Sequence, residues 1–84
     1  MASTSKLTRK VPGTPYQLEA TSNGINCAIY KGELSDNHKI AEVALSEYFV
    51  FESDDIDIPF QLHQAVIDGI RALARDYNKS RSLQ

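Results

Sequence analysis

The amino-acid sequence predicts an α+β domain: an antiparallel three-stranded β-meander packed on one C-terminal α-helix, in the order βββα. Three stretches carry that expectation. Residues 57–78, DIPFQLHQAVIDGIRALARDYN, place apolar side chains at helical spacing. Residues 16–31, YQLEATSNGINCAIYK, alternate apolar and polar on both sides of Asn23–Gly24. Residues 40–51, IAEVALSEYFVF, end in the β-favouring cluster Tyr48, Phe49, Val50, Phe51.

Residues 1–14, MASTSKLTRKVPGT, are small, polar and punctuated by Pro12 and Gly13, which predicts a flexible basic arm. The domain proper is expected over 15–79, with strands near 16–22, 25–34 and 39–52 and a frayed tail over 80–84. A two-residue turn at Asn23–Gly24 sets a definite register. Ala20 then opposes Cys27, Leu18 opposes Ile29 and Tyr16 opposes Lys31, a mostly apolar row suited to meet the helix. Thr21–Asn26, Glu19–Ala28 and Gln17–Tyr30 form the polar row on the other face. Gly32 to Lys39 reads as a turn centred on Asp36–Asn37.

The stretch 40–51 is ambiguous, because Ala41, Glu42, Ala44 and Leu45 favour helix. One long strand with a bulge near Glu47 accounts for the apolar residues on both faces. The alternative is a short helix at 36–46 followed by a strand at 47–52. In the helix, Leu62, Val66, Ile70, Leu73 and Tyr77 share one stripe, with Gln64, Asp68, Arg71 and Arg75 opposite and expected in solvent. Asp57 can cap its start and Pro59 suits its first turn. Gly69 is a mid-helix cost of about 1 kcal/mol against Ala, best explained by close approach to a neighbouring backbone.

Composition narrows the function. A chain of 84 residues makes one small domain, stable by about 5 kcal/mol or somewhat more. One cysteine, Cys27, excludes an internal disulfide, and with His38 and His63 it lacks zinc-ligand spacing, so no metal and no cofactor are expected. No apolar run approaches a membrane span and no secretory signal is recognisable, so a cytoplasmic setting is the expectation. The net charge of −2 conceals an acidic body between basic ends. Residues 1–10 carry +3 (Lys6, Arg9, Lys10), and 71–84 carry +3 (Arg71, Arg75, Lys79 and Arg81 against Asp76). Residues 11–70 carry −8, from ten acids against Lys31 and Lys39.

No nucleophile–base, phosphate-cradling or metalloprotease motif is present, and His63 has no carboxylate, Ser or Cys beside it at helical spacing. The expectation is therefore a non-enzymatic protein-interaction module, an adaptor or a small inhibitor or accessory protein, with homodimer formation among its modes. The residues expected to meet a partner are Tyr30 and Tyr48 on an uncovered sheet face, Glu19 beside them, and Glu52, Asp54 and Asp55 in the acidic entry to the helix. The strand beginning at Tyr16 is expected to be an edge open to strand addition. The alternative is a single-stranded nucleic-acid module stacking bases on Tyr30 and Tyr48 with basic tails on phosphates; the acidic body opposes it.

Overall fold

A computed structural model of the chain describes residues 7–21, 25–51 and 56–82. Four strands form one antiparallel sheet in sequential order: β1 (Thr8–Lys10), β2 (Tyr16–Ala20), β3 (Asn26–Lys31) and β4 (Lys39–Ala44). A 3-10 turn at Asp36–His38 leads into β4, and one helix, α1 (Phe60–Ser82), closes the chain. The architecture is α+β, with four strands where three were expected.

The additional strand comes from the segment read as an arm. Val11-Pro12-Gly13-Thr14 is a tight reversal in which Thr14 N donates to the Val11 carbonyl at 3.2 Å. Pro12 suits the second position, and Gly13 takes φ +76, which a side chain would strain. The Thr14 hydroxyl donates to the same carbonyl at 2.9 Å and accepts from Tyr16 N at 3.1 Å. The reversal lays Thr8, Arg9 and Lys10 against Glu19, Leu18 and Gln17. Strand β2 is consequently an inner strand, and β1 and β4 are the edges.

The β2–β3 register is the one the alternation implies: Tyr16–Lys31, Leu18–Ile29 and Ala20–Cys27 on one face, Gln17–Tyr30 and Glu19–Ala28 on the other. The Asn23–Gly24 turn itself lies outside the described residues. The apolar row meets α1, which crosses β1 and β2. Leu18, Ile29, Val66, Ile70 and Leu73 are fully buried there, with Val11 and Cys27. Gly69 is buried against the sheet: a Cβ on it would stand 3.0 Å from Leu18 Cδ1 and 3.3 Å from Val11 Cγ2. The close neighbour is thus a pair of core side chains, not the neighbouring backbone that was expected, because the large Leu18 and Val11 fill the space under the helix.

Several boundaries differ from expectation. Strand β2 ends at Ala20 rather than 22, and β3 covers Asn26–Lys31 rather than 25–34, because Gly32 at φ +94 turns the chain out of the sheet. The helix begins at Phe60, not Asp57, because a residue preceding proline is pushed out of the helical region and Ile58 precedes Pro59. It continues to Ser82, through the expected tail, since neither Gly nor Pro interrupts it. Strand β4 ends at Ala44 rather than near 52, and among the described residues neither the helix at 36–46 nor the strand at 47–52 forms. After it, the Ser46 hydroxyl accepts from Tyr48 N at 3.0 Å and the Ser46 carbonyl from Phe49 N at 3.2 Å, a turn that overrides the strand propensity of the aromatic run.

The bulge is also elsewhere. Ile29 pairs with Ala41 but Tyr30 pairs with Lys39, so Ile40 is the extra residue. In an unbroken strand, residues three apart point to opposite faces. Here Lys39 and Glu42 share the face away from the helix, and Lys39 Nζ lies 2.8 Å from Glu42 Oε1.

Candidate functional site

The helix lies chiefly over β1 and β2 rather than over the β4 end of the sheet. There the cover is the irregular segment 45–51, which lines one groove together with β4, Ile56 and Asp57. Side chains along it alternate: Phe49 is buried and Phe51 half-buried, whereas Tyr48 is 86% and Val50 52% exposed. Between this segment and β4 lies an open groove of about 630 Å3, lined by Ile40, Val43, Tyr48, Val50, Phe51 and Ile56 among others. An irregular cover cannot interdigitate with a strand as a helix does, so the groove stays unfilled.

The cover is held to the helix by polar contacts. Arg71 Nε donates to the Phe49 carbonyl at 3.0 Å, and Asn78 Nδ2 donates to Glu47 Oε2 at 2.9 Å. Arg75 Nε lies 3.6 Å from Glu47 Oε1. Arg71, expected in solvent, is instead half-buried and holds the groove wall, whereas Arg75 is exposed as expected. Gln64 and Asp68 on the same helix remain exposed and bond to each other at 2.9 Å.

An aromatic chain extends the apolar surface from the groove to the start of α1. Phe49 meets Phe51 edge-on at 5.1 Å between ring centroids, Phe51 meets the His63 ring at 4.8 Å, and His63 meets Phe60 at 5.5 Å. Phe60 is 84% exposed. His63 Nε2 lies 2.8 Å from the Ile58 carbonyl. A carbonyl only accepts, so Nε2 carries the proton. His63 therefore tethers the chain entering the helix.

The expected site residues separate. Tyr48 is exposed on the groove rim. Tyr30 is not exposed: only 6% of it meets solvent, and its hydroxyl donates to Glu19 Oε1 at 3.1 Å, diagonally across β2 and β3. Burial, and then this contact with the carboxylate, push the Tyr30 phenol above its ordinary range. Ala28 is buried beside it, so the face away from the helix presents chiefly polar and charged side chains instead of an apolar platform. Glu19 is half-buried and occupied by Tyr30. Glu52, Asp54 and Asp55 lie outside the described residues. The strand edge expected at Tyr16 is filled by β1; among the described residues the longer free edge is β4.

Alternation assigned each residue to a face but not to a cover, and Tyr30 lies across its own face towards Glu19. The groove depends on how 45–51 folds back on β4, and the signals available for it were the Ser46 turn and the in–out order of Tyr48 to Phe51.

Cys27 is a free, fully buried thiol whose pKa burial pushes up to about 12. Among the described residues, no group of three His, Cys, Asp or Glu side chains is placed to hold a metal ion, and no helix is long and apolar enough to cross a membrane. The Ser35 hydroxyl and His38 Nδ1 are 2.7 Å apart in the exposed 3-10 turn. No family model matches the chain, and no curated protein or solved structure matches it either.

Proposed function

We propose that the chain is a small non-enzymatic protein-interaction module that takes a macromolecular partner along the groove beside β4, as an adaptor or as an inhibitor or accessory protein. The observation that carries this reading is the groove, with Tyr48 and Val50 exposed on its rim. Large apolar side chains gathered on one exposed surface are a general mark of an interface. The free β4 edge beside it adds backbone groups that an extended segment can pair with. A cytoplasmic setting belongs to the same reading, supported by a single cysteine kept as a buried thiol.

The nucleic-acid alternative is weaker on this surface. One of its two stacking rings, Tyr30, is buried, and base stacking requires an accessible ring face.

Site-specific photo-crosslinking tests the reading. A photoreactive phenylalanine analogue at position 48, expressed in the native cell, is expected to trap one defined protein, a second copy of this chain included. The same group at Gln64 on the exposed helix face is expected to trap none. Equal trapping at both positions, or none at position 48, overturns the groove as the docking surface.

A further inference from the structure

We propose that the β4 edge seats a second copy of this chain, paired antiparallel about a two-fold axis, with Lys39 of each copy facing Glu42 of the other. The inference rests on the reading of the β4 side as an interaction face and names one occupant for it.

The bulge at Ile40 carries the argument. It turns Lys39 and Glu42 to the same face of the sheet, opposite Tyr30 and Ala28. A two-fold axis perpendicular to a sheet reverses strand direction and preserves the face. An axis between Ile40 and Ala41 therefore sets Lys39 against Glu42 twice. Side chains directly opposed on neighbouring strands have Cβ atoms ~4.5–5.5 Å apart, within reach of an ion pair. The edge is thus complementary in charge to itself. Within one copy, Lys39 already meets Glu42, whose other oxygen accepts from Asn26 Nδ2 at 3.1 Å. Pairing would join the two ion pairs into a ring of four alternating charges.

Sheet closure supports the same occupant. The other edge, β1, is three residues long and carries Arg9 and Lys10. Two such edges repel, and a short, charged edge resists further pairing. Pairing through β4 alone is isologous and stops at two copies. On the helix side, Ala41 and Val43 are half-buried groove-side residues of β4, so the two grooves would run together across the axis.

Sedimentation velocity from about 1 to about 100 µM reads the self-association constant. The native chain is expected to dimerise, less tightly at high salt. Lys39→Glu and Glu42→Lys are each expected to weaken dimerisation about tenfold or more, because each sets like charges face to face twice. An equimolar mixture of the two variants is expected to regain dimers to within about threefold of the native constant. One copy then supplies two acids and the other two bases. Loss of an ion pair within each chain cannot be repaired by mixing. Both positions are exposed, and circular dichroism checks that each variant is folded. A native chain monomeric across the range overturns the proposal, as do dimers that neither reversal weakens, or folded variants that stay monomeric when mixed. A monomer that still crosslinks a different protein from position 48 removes the second copy but leaves the interaction reading standing. The absence of any crosslink from position 48 removes the interaction reading itself.

Discussion

Beneath α1 the sheet is sealed, whereas beside β4 it is open. On the sealed side, Val66, Ile70 and Leu73 repeat at helical spacing and meet Leu18 and Ile29, which alternate along their strands, and every one is fully buried. On the open side, β4 offers Ala41 and Val43, only half-buried, to a segment that forms neither helix nor strand. Two periodic surfaces can interdigitate along their whole length. A periodic surface and an irregular one touch at a few anchors, here Phe49 and Phe51, and leave a groove between them. Stability should therefore reside on the sealed side, and the proposed binding on the open one.

The comparison breaks most readily at its sealed side. Ile70→Ala should lower unfolding stability by about 2–5 kcal/mol in urea titrations, because it empties a fully buried site under the helix. Leu73→Ala should do the same. If Val50→Ala on the groove rim cost as much as either, stability would not be divided between the two sides.

Alkaline pH tests the same core. Burial raises Tyr16, Tyr30 and Cys27 above their ordinary values of 10.0, 10.0 and 9.0. The neutral forms are favoured by folding, so their contribution is complete below the unfolded values and is lost as pH climbs towards the folded ones. Stability should begin to fall above about pH 9, with a slope of up to about 1.4 kcal/mol per pH unit per group. Cys27→Ala should flatten the first part of that fall, and Tyr30→Phe the next. A flat profile between pH 8 and 11 would contradict the burial of these groups.

Smaller effects belong to the seam between the two sides. Arg71→Ala should cost about 1 kcal/mol, the worth of one hydrogen bond, and speed amide exchange at 47–50 more than in β2. Gly69→Ala should lower the thermal midpoint slightly. The gain of about 1 kcal/mol in helix propensity is offset by an overpacking cost of about 1–3 kcal/mol against Leu18 and Val11, which are buried and have little room to yield. A rise would mean that the sheet under α1 gives way more easily than its burial implies. Tyr48→Ala should leave stability within about 0.5 kcal/mol while abolishing capture of the partner proposed for the groove in pull-downs.

The sealed side was legible in the sequence because both of its surfaces are periodic. Alternation about Asn23–Gly24 sets the β2–β3 register, and the spacing of Val66, Ile70 and Leu73 sets the helix face. Strand β1 was not legible, since three residues are too few to show a period. Its signal was the turn chemistry of Val11-Pro12-Gly13-Thr14, which resembles linker composition until a strand is placed on each side. The open side was least legible. Tyr48 to Phe51 have strong strand propensity, and one serine hydroxyl redirects them. Of the expected site residues, Tyr48 reaches the groove, whereas Tyr30 and Glu19 satisfy each other.

The extra residue in β4 has a consequence for how this chain can change in length. Deleting one residue from a half-buried strand ordinarily moves every side chain beyond the cut to the wrong face. Deleting Ile40 would instead restore a regular ladder, with Ala41 still opposite Ile29 and Lys39 still opposite Tyr30. The loss would be confined to the burial of one half-covered side chain on the groove. At this position the strand can lose a residue and keep its register, leaving the remainder of the sheet unaltered.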